Sequence, residues 1–211
     1  MFRRLWRAGL VLLLPALAAC SSGEPSRGFI DPRLMQAYMP LSMEGGLFTP
    51  GRWGAGIAVA PNIAVTNAHN ENLLAPESIL ARSDYDILFY RTDRAVPLPT
   101  AEPEVGEAVI AYGQGRDGDL REARGRVVAI EDFVMPRCPD CRVQRAFSFD
   151  GDAGPGFSGG PVVDARTGSV VGLVFGYCDG NTQCGKPRSF AFGIDTVLNE
   201  MHRLLDRPGR R

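Results

Sequence analysis

Ser158 stands in the run Gly156-Phe157-Ser158-Gly159-Gly160-Pro161. Glycines let a chain turn tightly. A hydroxyl projecting from such a loop can attack a carbonyl, while its own N–H and that of a nearby glycine converge to stabilise an oxyanion. Taken alone, the run reads equally well as a Gly-rich turn with an incidental serine. A hydroxyl is a weak nucleophile and needs a base beside it, and the chain has only two histidines, His69 and His202. His69 closes Ala64-Val65-Thr66-Asn67-Ala68-His69, just past a predicted strand, and Asp86 opens Asp86-Ile87-Leu88-Phe89 at the start of another. Asp84 competes for the acid role, but the apolar strand follows Asp86 directly. His202 falls off the apolar stripe of a C-terminal helix and reads as solvent-facing. A loop hydroxyl, a histidine base and a carboxylate to orient it together suit acyl transfer through a covalent intermediate, a chemistry that calls for no cofactor and no metal.

The elements that must position these residues are mostly strands. Ala55–Ala60 and Ile63–Thr66 read as a hairpin about the turn pair Pro61-Asn62. Ile87–Tyr90, Ala108–Tyr112, Val127–Ile130, Val143–Phe149, Val162–Asp164, Val170–Phe175 and Phe190–Ile194 read as further strands. Between them lie Gly, Pro, Asp and Asn rather than helical patterns, which excludes a parallel α/β sheet and predicts an antiparallel sandwich or barrel. The period then changes: Ile194, Val197, Leu198, Met201, Leu204 and Leu205 form the apolar stripe of one helix, with Asp195 as its expected N-cap and Pro208-Gly209 as its stop. The 25 glycines and 16 prolines exceed average usage, roughly 12% together, and fit many turns between short strands. The 211 residues are 45% hydrophobic and 22% charged, with a net charge of −1. That composition excludes wholesale disorder, and the absence of a basic stripe argues against a nucleic-acid partner.

Residues 1–19 read as a signal rather than as fold. Arg3, Arg4 and Arg7 precede an uncharged apolar stretch, Ala8–Ala19, too short to span a bilayer as a helix. It ends in Leu17-Ala18-Ala19-Cys20, which resembles the lipobox of bacterial lipoproteins. The resemblance implies cleavage before Cys20, lipidation of Cys20, and attachment to the membrane by that anchor alone. Ser21 at the next position implies, by the same resemblance, the periplasmic face of the outer membrane. Losing the signal removes three Arg and no acid, taking the net charge from −1 to −4. Residues 20–28, including the polar run Ser21–Ser26, are expected to be a flexible tether, with the folded unit over 29–206 and a tail at 207–211.

Several of these segments resemble those of the trypsin-like, chymotrypsin-fold serine peptidases, particularly their bacterial branch. Val65–His69 resembles the Thr-Ala-Ala-His box, Asp86–Phe89 the Asp-Ile-Ala-Leu box, and Gly156–Pro161 matches Gly-x-Ser-Gly-Gly-Pro. Glu104–Gly113 resembles the strand before the interdomain connection. The resemblance covers about residues 50–206. It implies an all-β fold of two six-stranded antiparallel β-barrels and a C-terminal α-helix, divided near residues 115–124. It implies Ser158 as nucleophile, His69 as general base then acid, Asp86 as the group fixing the His69 tautomer, and the N–H groups of Gly156 and Ser158 as oxyanion hole. Val174-Phe175-Gly176 resembles the strand that pairs with substrate. Asp152, six residues before Ser158, stands where trypsin-like enzymes place the base of the specificity pocket, and a carboxylate there would select basic residues. Two departures stand out. His69 and Asp86 lie closer in sequence than is usual, and Phe157 stands where the digestive enzymes carry the Asp that pairs with a freshly cut N-terminus. Activation by N-terminal insertion is therefore not expected.

Besides Cys20, the cysteines are Cys138, Cys141, Cys178 and Cys184. An even count in an exported chain predicts disulfides. Local pairing, 138–141 and 178–184, is the expectation, with the other connectivities, a four-thiolate zinc site and a redox Cys-x-x-Cys as rivals. The resulting functional expectation is an exported, lipid-anchored serine endopeptidase acting on protein or peptide substrates. The alternative is a protease fold retained as a binding module at the cell envelope.

Overall fold

The computed structural model describes residues 22–27, 30–45, 51–94, 96–115, 118–134, 142–178, 180 and 186–206. In chain order the elements are β1 (Glu24–Pro25), α1 (Pro32–Ala37), β2 (Tyr38–Met43), β3 (Arg52–Ala60), β4 (Ile63–Asn67), β5 (Ile79–Arg82), β6 (Ile87–Arg91), β7 (Ala108–Gln114), β8 (Leu120–Val134), β9 (Arg142–Phe149), β10 (Pro161–Asp164), β11 (Val170–Cys178), β12 (Arg188–Gly193) and α2 (Ile194–Leu205). A 3-10 turn, Ala68–Leu73, follows β4, and a shorter one, Pro76–Ser78, precedes β5.

The predicted hairpin forms β3 and β4. Ala60 pairs with Ile63, and Asn62 takes the left-handed conformation (φ 61°) that its short polar side chain tolerates. The β3–β4 pair belongs to an antiparallel sheet ordered β2-β3-β4-β6-β5. The second sheet is ordered β1-β8-β7-β10-β11-β12-β9, and β8 also pairs with β9, so six of its strands are joined in a ring. All pairings between these named strands are antiparallel. The fold is thus chymotrypsin-like, with one correction to the expected pair of six-stranded barrels. Among the described residues the N-terminal sheet has five strands, with no pairing between β2 and β5.

The division between the halves also differs from expectation. β6 pairs only within the first sheet, whereas β7 pairs with β8 and β10 of the second. The crossing therefore lies in residues 92–107, which contain Pro97, Pro99 and Pro103, and not near 115–124. Glu104–Gly113 leads into the second sheet rather than closing the first. At the other end, Gly193 and not Asp195 is the N-cap of α2. The helix begins at Ile194, directly off β12, and buries Ile194, Val197 and Met201.

Two cores result. The first gathers Ile57, Val65, Ile87, Leu88 and Phe89 with the buried face of α2; the second fills the ring with Phe147, Phe149, Phe157, Val162, Val171 and Val174. The first core also buries two phenols, Tyr38 and Tyr90, whose hydroxyls have no hydrogen-bond partner among the described residues. Desolvation pushes both phenol pKa values well above the usual tyrosine range. A buried unpaired hydroxyl loses its hydration without return. Tyr90→Phe is therefore expected to leave stability unchanged or raise it by up to about 1 kcal/mol. Thermal unfolding checks this, and a clear loss of stability would reveal a partner for the hydroxyl.

Candidate active site

His69 and Asp86 lie 17 residues apart in sequence and meet because of strand register. In the β4–β6 pair, Asn67 stands opposite Ile87, so the end of β4 and the start of β6 are side by side. The 3-10 turn after β4 carries His69, and the residue before β6 is Asp86. Asp86 Oδ2 lies 2.8 Å from His69 Nδ1, and Asp86 Oδ1 accepts the His69 main-chain N–H at 2.9 Å. An ionised carboxylate can only accept, so the neutral ring carries its proton on Nδ1 and leaves Nε2 as the basic nitrogen. Asp86 has φ 64°, uncommon outside glycine but several-fold enriched in Asp and Asn. Its carbonyl accepts from Ala68 N–H at 3.0 Å and from Asn67 Nδ2 at 3.2 Å. Main chain and side chain of Asp86 are thus both tied to the turn that bears His69. Asp84, the rival acid, is exposed and makes no hydrogen bond to His69.

The turn before Asp86 is held from a distance. Ser83 accepts the Tyr85 N–H and donates to Glu200 of α2 at 2.5 Å, and Glu200 is in turn paired with Arg203. The C-terminal helix therefore buttresses the loop that presents the acid.

Ser158 lies in the loop between β9 and β10. Gly156 (φ 93°) and Gly159 (φ 80°) occupy backbone conformations that side chains disfavour. A Cβ on Gly156 would also collide with Gln114 O and the Trp53 ring. Phe157 N–H donates to Gly154 O, and Gly160 N–H to Phe157 O, which folds the loop into consecutive turns. The Ser158 carbonyl accepts from Ala55 N–H and from Asn70 Nδ2, both at 2.9 Å. Asn70 also donates to Thr66 Oγ1, which donates to Ala55 O. This network spans the two sheets and sets the serine loop against the histidine turn. The main-chain N–H groups of Gly156 and Ser158 donate to nothing among the described residues, so both are free for an incoming oxygen.

A cavity of about 410 Å³ opens over the site. His69, Ser158 and Gly156 line it, with Arg52, Trp53, Asn70, Asn72, Leu73, Pro155 and Tyr177 around them. No hydrogen bond joins Ser158 Oγ to His69 here; such bonds are often long in ligand-free sites and tighten with substrate.

The remaining expected site residues are placed differently. Asp152 is exposed, does not line the cavity, and accepts from Gly23 N–H at 3.3 Å. Val174 is buried, its N–H and carbonyl both engaged with the serine loop at Gly160 and Gly159. Phe175 stacks on Phe192 with ring centroids 4.3 Å apart, and neither it nor Gly176 lines the cavity, although Tyr177 beyond them does. Cys178 is disulfide-bonded; Cys20, Cys138, Cys141 and Cys184 lie outside the described residues. His202 is exposed, as expected. Among the described residues no cluster suits a metal ion and no helix is long and apolar enough to cross a membrane.

Sequence reasoning missed Asn70 and Trp53. Asn70 directly follows His69, and an amide at that position was the available signal. Asn70→Ala is expected to lower turnover by about 10- to 100-fold, since small displacements of a reacting group carry penalties of that size. Steady-state kinetics would show it; wild-type turnover would mean that Ala55 N–H alone holds the Ser158 carbonyl.

The fold is that of trypsin-like serine proteases. A model of the trypsin-like peptidase domain matches residues 61–173, more than half of the chain, and the protein belongs to that family. That stretch contains His69, Asp86 and Ser158. Comparison with curated proteins finds no match. Among solved structures, the active form of the Rv3671c protease from M. tuberculosis is similar with a TM-score of 0.65 and 19% identity, covering 86% of this chain and 88% of its own. The MamO protease domain from Magnetospirillum magneticum gives 0.62 and 17%, covering 80% of this chain and 97% of its own. The HtrA-type protease AlgW, solved with a tripeptide, gives 0.62 and 15%, covering 81% of this chain but only 60% of its own.

Proposed function

We propose that the protein is an exported, lipid-anchored serine endopeptidase. The observation that carries the catalytic reading is the pair of hydrogen bonds that Asp86 accepts from the ring and the main chain of His69, with His69 and Ser158 lining one cavity. Ser158 Oγ attacks a peptide carbonyl as His69 Nε2 takes its proton. The N–H groups of Gly156 and Ser158 receive the oxyanion. The His69 imidazolium, stabilised by Asp86, then protonates the leaving amine, and water hydrolyses the acyl-enzyme by the same route in reverse. A fluorophosphonate probe tests this directly: the wild type is labelled and Ser158→Ala is not. Absence of label on the folded wild type would favour the second reading, a protease fold used for binding.

The anchor reading rests on the signal-like residues 1–19 and on Cys20. Mass spectrometry of the exported protein is expected to show an N-terminal diacylglyceryl cysteine; an unmodified Cys20 would remove the anchor and leave the peptidase reading intact. Local pairing of 138–141 and 178–184 rests on the even cysteine count and on the short, turn-rich spacing within each pair. The exported protein is expected to contain no alkylatable thiol at these four positions, and four reactive thiols or bound zinc would overturn the pairing.

A further inference from the structure

Phe157, beside the nucleophile, points away from the cavity into the core of the β7–β12 ring, where it is fully buried. Two glycines make room for its ring. A Cβ on Gly113 of β7 would lie 2.5 Å from Phe157 Cγ, and one on Gly23 would lie 2.6 Å from Phe157 Cζ. Gly23 has φ 63° and belongs to the segment expected to be a loose tether. Instead that segment is fastened along β8. Glu24 and Pro25 pair with Glu122 and Arg121. The Arg121 guanidinium donates to Ser22 O at 2.7 Å and to Gly23 O at 2.6 Å. Ser26 N–H donates to Leu120 O, and Ser26 Oγ to Glu122. The same segment also meets the serine loop itself: Gly23 N–H donates to Asp152, and a Cβ on Gly154 would run into the Ser22 side chain.

We infer that Ser22–Ser26 is a strap that closes the slot around Phe157 and so holds Ser158 and its neighbouring N–H donors in working position, with Arg121 and Gly23 as positioning residues. This rests on the peptidase reading for its effect on turnover, but not for its effect on the loop. The physical logic is that Phe157 fastens the loop by burial at the position where the digestive enzymes use an ion pair to a new N-terminus. Burial fastens it only while something covers the ring on its open side, and Gly23 is what covers it. Only Ser21 separates the strap from Cys20, so a cut before Cys20 leaves the strap whole. A cut beyond Ser26 would remove it.

The test compares Arg121→Gln, Arg121→Lys and Gly23→Val in the full mature chain. Donors aimed at the oxyanion act in the transition state, so a loosened loop lowers kcat more than it raises KM. Arg121→Gln and Gly23→Val are expected to lose at least about tenfold in kcat with KM within about twofold, and Arg121→Lys to recover part of the loss. Hydrogen exchange at the Phe157 and Gly160 amides, both bonded within the loop, is expected to quicken in the first two variants. A purely structural role would lower the unfolding midpoint while leaving kcat and loop exchange of the folded protein at wild-type values, and that result overturns the strap. If Gly23→Val does not fold, Arg121→Gln decides, since it leaves the β1–β8 backbone pairing in place. If the wild type shows neither turnover nor probe labelling, the peptidase reading fails by itself; exchange then decides the strap, and unchanged exchange in Arg121→Gln sinks it.

Discussion

Ser158→Ala is expected to lose peptide hydrolysis by about 10⁶-fold, the scale seen when a nucleophile is removed from such a set, while its thermal unfolding stays close to wild type. The two halves of this expectation have separate causes. Turnover falls because alanine carries no hydroxyl to attack the carbonyl and form the acyl-enzyme. Stability holds because the loop is fastened by main-chain atoms that alanine keeps: the residue-158 carbonyl still accepts from Ala55 and Asn70, and Phe157 is still buried. The Ser158 hydroxyl itself bonds to nothing among the described residues, and substitutions away from such bonds stay within about 0.5 kcal/mol. Residual turnover above the uncatalysed rate is expected from the oxyanion donors alone. Equal turnover by the two proteins would end the assignment. A large drop in unfolding temperature would mean that lost activity reports lost structure.

The parts of the molecule legible in the sequence are those whose information is local. Ala55–Ala60 and Ile63–Thr66 announce a hairpin through Pro61-Asn62, and the structure pairs them across that turn. Asp86 rather than Asp84 reads as the acid because a four-residue apolar run follows it, and β6 begins there. The α2 stripe was legible from its period, although its start was misplaced: Asp195 looks like a cap, but the chain leaves β12 already in register for Ile194 to enter the core. The illegible parts draw their stability from residues far away in sequence. Ser22–Ser26 is polar and reads as a linker, because the groups that fasten it are Arg121 and Glu122, about a hundred positions on. β2 carries Pro40, whose missing N–H belongs to an edge strand, and β2 is indeed an edge of its sheet. β5 is four residues long and only half-buried, so its apolar run gave no alternation to read. The boundary near 115–124 failed because β7 resembles a closing strand in isolation, whereas its partners β8 and β10 come later in the chain. Asp152 stands six residues before Ser158, but that spacing does not reveal that Gly23 meets its carboxylate.

Asp86→Asn is the sharper test of the acid than Asp86→Ala, because it separates chemistry from backbone. Alanine at φ 64° would strain the turn as well as removing the carboxylate, whereas asparagine tolerates the left-handed region. Asp86 accepts two hydrogen bonds, one at each oxygen, from the His69 ring and the His69 main chain. Asparagine has one carbonyl oxygen and one NH₂ group. If its oxygen keeps the main-chain N–H, its NH₂ faces Nδ1 and can only donate, which forces the ring proton onto Nε2, where it blocks acceptance from Ser158. If the amide turns over, the ring keeps its tautomer, but the NH₂ is set against the main-chain N–H. The first arrangement is favoured, since the main-chain donor is fixed and the ring can exchange its proton with solvent. Turnover is therefore expected to fall by about 10⁴-fold, as for the same change of tautomer in a serine protease, with the fold intact by circular dichroism. Asp84→Ala, at an exposed residue without contact to His69, is expected to stay near wild type. A greater loss from Asp84→Ala than from Asp86→Asn would show that the acid had been placed two residues too late. Near-normal turnover in both would mean that the His69 tautomer is held by something other than a carboxylate.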